Sequence, residues 1–565
     1  MQVLRHIMRS SAEGSKGAFS ASSRRCNLSI NTLNGAWFLG MFNLSTLLHR
    51  RVTGITDSDS AVCRSSALVL AFFAFLSACA GDVPEVPTTG PQHVILITLD
   101  TTRADHLGAW GGDPSLTPSL TRLADESVVF SDAMSPAPTT LAAHTSILTG
   151  RSPRSHGVPR NGYIVNPENV TLAELLGEAG FNTLGVVGSF ALESLFGLDQ
   201  GFARYDEEFG LEFQPGVYDQ NQRRAGDVTD RALGLLDAAI DEDPKGRVFL
   251  FAHYFDAHTP YDPPPEALLA VGLKAGDRAD LEDIGRAVLS QQHAAAGVRL
   301  GPRWVFSNGV PVEILDGATG TPTAEDLRLE KLYHAELSYL DHELGRLIDG
   351  LSERGLLDDS LLILTADHGE TFWEHGDFWN HGVATYQTTI KVPLLIRLPD
   401  ASMGGMDVAS VVSTLDVLPT VCAQLGLELP AAAEGMDLSA LWAGGELPER
   451  AHVSEATQPV GEIEREVQWL NQAKAKAVRK GRWKYIYTPY LAGREELYDI
   501  ETDPGERANL LLSPTSMHLE KASELRGELE DWAARLTPLP SSFESAQMEA
   551  VRSRLEGLGY AGEDD

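Results

Sequence analysis

Cysteine is nearly absent from this chain. There are four in 565 residues, Cys26, Cys63, Cys79 and Cys422. Two of them fall in an N-terminal leader and a third ends it, so the body of the chain can hold neither a disulfide framework nor a cysteine-based zinc site. Basic residues are also short, 45 Lys and Arg against 79 Asp and Glu, for a net charge of −34. Such a surface repels phosphate backbones and excludes nucleic acid as a partner. The apolar run Ala67–Leu76 is too short for a transmembrane helix. What remains is a globular composition, 43% hydrophobic and 22% charged, sufficient for a large domain plus a smaller one. Stability must come from the core, which a chain this long can bury.

The N-terminus reads as a targeting segment. Arg64, the run Ala67–Leu76 and Ser77-Ala78-Cys79 give a positive n-region, an apolar h-region and a small-residue cleavage site ending at cysteine. This resembles a bacterial lipoprotein signal over 61–79, with Cys79 lipidated and the protein anchored to a membrane of the cell envelope, in the outer membrane or periplasm; a plain secretory signal is the alternative. A signal this late places the functional start near Val62 and makes 1–60 a leader or a gene-model artefact. Residues 80–92 form a Pro/Thr/Gly tether.

From His93 on, apolar runs at Val94–Leu99, Thr183–Val187, Val248–Ala252, Leu361–Thr365 and Val392–Ile396 read as strands buried on both faces. Helical patterns separate them. One starts at Thr171 and stops at Gly180, and a longer amphipathic one covers Leu329–Gly350. The alternation predicts an α/β fold, a mostly parallel sheet with helices on both faces, over 93–449. A Gly/Ala/Pro-rich stretch, 264–325, reads as an insertion or lid. Residues 450–536 read as a small C-terminal α+β subdomain, and 537–565 as a tail.

Ligands on parallel sheets bind at the carboxyl ends of strands. Three predicted strands end in such chemistry: Asp100 after the first, His253, Asp256 and His258 around the third, and Asp367, His368 and Glu370 after the fourth. Two carboxylates and an imidazole suit one divalent cation, Ca²⁺, Mn²⁺, Mg²⁺ or Zn²⁺. Such an ion polarises an ester oxygen and activates a hydroxyl.

The order of motifs then resembles the sulfatase family of the alkaline phosphatase superfamily. Val94–Gly108 is similar to its first metal motif, Thr139–Arg151 with His156-Gly157-Val158 to its nucleophile motif, and Thr365–Thr371 to its second metal motif. Lys391–Pro399 and the segments beginning at Gly481, Glu496 and Asp503 follow in family order. The resemblance implies an alkaline phosphatase/sulfatase-like sheet and a metal-dependent ester hydrolase. Counting back from Leu148-Thr149-Gly150-Arg151 puts Thr140 at the nucleophile position, where the family carries Cys or Ser for conversion to formylglycine. Ala142 stands at the motif's proline and His144 at its arginine. Thr101 stands where many sulfatases have a second Asp. A threonine cannot follow the formylglycine route, whereas threonine nucleophiles in the same superfamily transfer phosphoryl groups. The resemblance therefore implies a single metal on Asp100, Asp367, His368 and the Thr140 oxygen. Thr140, His258 and His381 become candidate catalytic residues, with His144, Asn161, Arg160 and Asp256 as candidate substrate contacts. The expected substrate is a small-molecule, glycan or lipid ester, cleaved at a phosphodiester or phosphomonoester. Sulfate ester hydrolysis without formylglycine and a non-catalytic binder of sulfated or phosphorylated polymer are the alternatives. An envelope transferase is a third, but its relatives usually carry several transmembrane helices.

Overall fold

The computed structural model describes residues 90–209, 222–280, 283–287, 322–375, 379–458 and 468–542, and the backbone of 304–307 and 310–313. The leader segments 1–60 and 61–79, the Cys79 anchor, most of the tether and the tail beyond 542 lie outside the described residues. Among the described residues no helix is long and apolar enough to cross a membrane.

The strands are β1 (His93–Leu99), β2 (Val128–Met134), β3 (Phe181–Val186), β4 (Arg204–Asp206), β5 (Arg247–Tyr254), β6 (Trp304–Ser307), β7 (Val310–Glu313), β8 (Ser360–Ala366), β9 (Lys391–Arg397), β10 (Met406–Val408), β11 (Val412–Ser413), β12 (His452–Glu455), β13 (Lys476–Lys480), β14 (Trp483–Thr488) and β15 (Arg494–Asp499). Nine of them form one sheet in the order β10-β2-β9-β8-β1-β5-β3-β4, with β11 also on β2. All its pairings are parallel except those of β9, which runs antiparallel to both β8 and β2. The central strands are buried almost throughout. That is why they appear in the sequence as unbroken apolar runs rather than alternating ones.

The helices that position the site are α1 (Pro118–Asp125), α2 (Thr140–Thr149), α3 (Leu172–Glu178), α4 (Ala225–Glu242) and α5 (Ala324–Glu353). Helix α3 starts in a capping box between Thr171 and Glu174, as the Thr171 signal predicts. Helix α5 opens in another, between Thr323 and Asp326, and is longer at both ends than the apolar pattern alone indicates. The 264–325 stretch begins with a short helix, Pro265–Ala270, and its residues 281–282, 288–303, 308–309 and 314–321, and with them the lid assignment, lie outside the described residues.

The C-terminal part is a four-stranded antiparallel sheet, β12-β13-β14-β15, covered by helix α6 (Ser516–Arg535). Val478, Tyr485 and Leu497 of the sheet pack on Leu525, Leu529 and Trp532 of α6. The fold class, an α/β sheet plus a small α+β subdomain, is the one expected. A buried ion pair joins this part to the main sheet's neighbourhood. Lys484 Nζ lies 2.6 Å from Glu506 Oε1, and Glu506 also accepts the backbone N–H of Gln387.

Candidate active site

Register brings the site together. In the parallel ladders Leu99 lies opposite Ala366 and Thr98 opposite both Thr365 and His253. The next residues, Asp100 and Asp367, therefore leave adjacent strand ends side by side, as the rule for parallel sheets anticipates. Ligand atoms of Asp100, Asp367 and His368 all lie within 4.8 Å of one another, and all three residues are fully buried. His368 Nε2 is 3.4 Å from Asp367 Oδ2 and 4.0 Å from Asp100 Oδ1.

Each of the three is held by its outer atoms, and its inner atom is left over. Asp367 Oδ1 accepts the N–H of His368 at 2.7 Å and that of Thr101 at 3.3 Å. His368 Nδ1 donates to the Gly369 carbonyl at 2.9 Å. A Cβ on Gly369 would come within 2.2 Å of the Thr388 carbonyl oxygen, so only glycine lets this turn pass so close. His253 accepts the N–H of Gly188 on Nδ1 at 3.2 Å, which places its own proton on Nε2. It donates that proton to Asp100 Oδ2, also at 3.2 Å. Asp100 Oδ1, Asp367 Oδ2 and His368 Nε2 have no hydrogen-bond partner. Orphaned buried atoms of this kind are costly, and two carboxylates with one imidazole lone pair are the donor chemistry of a divalent cation. The residues therefore fit the metal that the sequence implies.

Electrostatics point the same way. Burial, above all, pushes the Asp100 carboxyl well above the usual carboxylate range, and a hydrogen bond from the Thr140 hydroxyl opposes the rise. Burial also raises Asp367, and the neighbouring Asp100 adds to it. A cation between them removes both penalties.

Thr140 is the first residue of α2, a helix buried along its whole length and closed by Gly150 in the left-handed region at φ 65°. Its N-cap, Thr139, makes no side-chain capping bond. Asn161 replaces it from another segment: its Oδ1 accepts the N–H of Leu141 at 2.7 Å, and its Nδ2 is buried with no partner. Thr140 thus sits at a helix N-terminus, where backbone amides favour an anion, with its hydroxyl turned to Asp100.

The predicted residues gather around this point with several differences. His144 does not offer a nitrogen outward. Its Nδ1 donates to the Thr140 carbonyl at 2.8 Å and its Nε2 accepts from Thr98 Oγ1 at 2.9 Å. It lies beneath Thr140 and holds its carbonyl, and both of its ring nitrogens are spent. His156 is likewise bound to Ser146 and the Ala142 carbonyl. His258 and His381 face each other with ring centroids 5.2 Å apart, and His381 lies 4.6 Å from His368. His258 Nδ1 donates to the Thr259 carbonyl and His381 Nδ1 to Glu370, at 3.2 Å from Oε2. Burial holds His381 down near 3, and burial together with His381 lowers His258. Asp256 lies to one side. It lines a cavity of about 160 Å³ with Arg223, Arg224, His258 and Glu336, and burial raises it to about 7. Arg160 lies over the Tyr163 ring, 5.4 Å from its centroid.

Thr101, the substituted second Asp, adopts φ 47°, a conformation rare for a β-branched residue. Its N–H reaches Asp367, its carbonyl accepts the Tyr333 hydroxyl at 3.1 Å, and its own hydroxyl is buried without a partner. A neutral oxygen therefore stands where the family pattern has a carboxylate.

Two residues that the sequence places at strand ends, but to which it gives no role, act here. His253 orients Asp100, and Glu370 orients His381. Both stand inside the motifs, and the adjacent-strand register is the signal that could have assigned His253.

Comparison with known proteins identifies the family. The sulfatase family model matches residues 92–427, and the model of the N-sulphoglucosamine sulphohydrolase C-terminal region matches 374–535. An arylsulfatase of Clostridium perfringens is 24% identical over 488 residues, covering 74% of this chain and 90% of its own length. An N-acetylglucosamine-6-O-sulfatase of Bacteroides thetaiotaomicron is 24% identical over 513 residues, 81% of this chain and 88% of its own. The solved phosphonate monoester hydrolase of Silicibacter pomeroyi superposes with a TM-score of 0.59 at 21% identity, covering 80% of this chain and 99% of that one. The chain belongs to the sulfatase family and is an ester hydrolase of that class.

Proposed function

We propose that this sulfatase-family hydrolase cleaves a monoanionic ester, a phosphodiester or a sulfate monoester, through a covalent adduct on Thr140. The observation that carries it is the Thr140 hydroxyl at the buried start of α2, hydrogen-bonded to Asp100 and beside three orphaned ligand atoms. A divalent cation on Asp100, Asp367, His368 and the Thr140 oxygen would lower the pKa of that hydroxyl and neutralise both carboxylates. His253 holds Asp100, and His144 and Asn161 hold the first turn of α2, so the Thr140 oxygen needs little reorganisation before attack. The α2 amides and Asn161 Nδ2 stabilise charge on the ester oxygens. His258 and His381 are neutral at rest, because burial lowers both. An arriving ester anion raises their proton affinity, so the nearer ring takes up the proton that the Thr140 hydroxyl loses on attack and passes it to the leaving oxygen as the ester bond breaks. Water then cleaves the adduct.

Charge balance supports the monoanionic substrate. Two carboxylates cancel a divalent ion, four buried imidazoles add nothing, and His144 occupies the pattern's arginine position. A dianionic phosphate monoester would find no surplus positive charge in this set. Threonine cannot become formylglycine, which supports the phosphodiester; the arylsulfatase-type relatives support the sulfate ester. The leader around Cys79 supports an envelope location.

The test is hydrolysis of p-nitrophenyl sulfate, p-nitrophenyl phosphate and bis-p-nitrophenyl phosphate by the purified chain, with and without EDTA. We expect the diester or sulfate to exceed the phosphate monoester, and EDTA to abolish both. A phosphate monoester preference overturns the charge argument, and full activity after chelation overturns the metal site.

A further inference from the structure

We propose a second metal site on His106, Glu330 and His334, built for a transition-metal ion of the zinc class and separate from the Asp100, Asp367 and His368 set. The ligand atoms of the three residues lie within 4.8 Å of one another. Glu330 and His334 are four apart on α5 and so share one face of that helix. His106 comes from the short 3₁₀ turn Ala104–His106 that follows the Asp100 segment. His106 Nδ1 and His334 Nε2 are 2.8 Å apart. Two neutral imidazoles at that distance share one proton, and its transfer to the outer nitrogen of the donor ring leaves two lone pairs facing each other beside the Glu330 carboxylate. Tetrahedral zinc–nitrogen bonds would set the two nitrogens about 3.3 Å apart, an adjustment of about half an ångström.

Three features favour a cation there. Burial keeps both rings below the usual histidine range, His106 near 3, so their lone pairs are available near neutral pH. The charges facing the cluster are mainly acidic: Asp105, Asp113 and Glu374 against Arg103. Arg103 is itself tied to Asp105 at 2.8 Å and Glu374 at 2.9 Å. His106 is also held in place by the edges or faces of Tyr333 and Phe372, with ring centroids at 5.6 and 5.2 Å. All three ligands are half-buried, which leaves water access to a fourth position. Two imidazoles and one carboxylate suit Zn²⁺, Co²⁺, Ni²⁺ or Cu²⁺ and disfavour Ca²⁺ and Mg²⁺.

The site's place in the fold gives it a role. Tyr333, on the same turn of α5, accepts the Arg103 N–H at 2.9 Å and donates to the Thr101 carbonyl. A metal joining His106 to Glu330 and His334 would fasten α5 a second time to the segment that carries Asp100. Its effect falls on stability rather than on the chemical step.

The experiment titrates the chelator-stripped, Ca²⁺-reloaded full chain with Co²⁺ and reads its visible absorption and bound equivalents. The wild type should take up one equivalent with the intense bands of low-symmetry Co²⁺, and Zn²⁺ should displace it and raise the melting midpoint. His334→Gln and Glu330→Gln should each lose that equivalent and the Zn²⁺ stabilisation, while retaining ester hydrolysis as evidence of folding. Asp367→Asn should keep it, which separates this site from the first. Co²⁺ uptake that is absent from the wild type, unchanged in His334→Gln, or lost in a folded Asp367→Asn overturns the proposal.

Discussion

Asn161 is asked to do two things at once, and two substitutions separate them. Its Oδ1 caps the Leu141 N–H at 2.7 Å, and its Nδ2 is buried without a partner at the start of α2. The residue is only 3% exposed, so water cannot replace the capping bond. Asn161→Ala leaves the Leu141 N–H unsatisfied, at a cost of about 1–3 kcal/mol, within the range for loss of an N-cap. It also removes the donor proposed for the ester oxygen, a loss that in comparable oxyanion sites costs about 10²–10³ in kcat. Asn161→Asp keeps the capping oxygen but exchanges the donor for an acceptor that repels the substrate anion. A carboxylate near a helix N-terminus is otherwise tolerated. Thermal or denaturant unfolding combined with steady-state kinetics distinguishes the two. Asn161→Ala should lose both stability and kcat. Asn161→Asp should keep most of the stability and still lose at least about a hundredfold in kcat/KM. Wild-type kcat/KM in Asn161→Asp would refute a contact between Nδ2 and the ester, and unchanged stability in Asn161→Ala would refute the cap.

Three further outcomes follow from buried groups. His253→Phe removes the donor that holds Asp100 and should weaken binding of the activating cation by about 10–100-fold; metal titration checks this, and unchanged affinity would remove His253 from the account. His156 and His452 are buried neutral near 3 against 6.5 in the unfolded chain, both through burial. The unfolded state therefore binds the protons first, and stability is full above pH 6.5 and falls as pH drops from 6.5 toward 3. The slope is about 1.4 kcal/mol per pH unit for each residue, and a His156→Gln/His452→Gln variant should show a shallower acid limb. Lys484→Met leaves Glu506 buried without its partner and should cost about 3–5 kcal/mol. Lys484→Met with Glu506→Gln should recover most of it, and a lone substitution without effect would show that the pair contributes nothing.

The main sheet is legible in the sequence because its central strands are buried on both faces, and Ile95-Leu96-Ile97 or Leu362-Ile363-Leu364 cannot be read otherwise. Strand β2 is not, because a register shift between Phe130 and Ala133 puts Ser131 and Asp132 inside what would be an apolar run. Asp100, Asp367 and His368 are legible because each directly follows such a run. The roles of His253 and His144 are not, since they depend on which strand lies next to β1 and on where α2 docks. The His106 and His334 pair is wholly tertiary, 228 residues apart in the chain.

The most direct test of the central claim is to quench turnover in acid and map the chain by peptide mass spectrometry. A sulfuryl or phosphoryl group is expected on the peptide that carries Thr140, and none in Thr140→Ala, whose hydrolysis falls to background. Full activity in Thr140→Ala, or an adduct on any other residue, would contradict it.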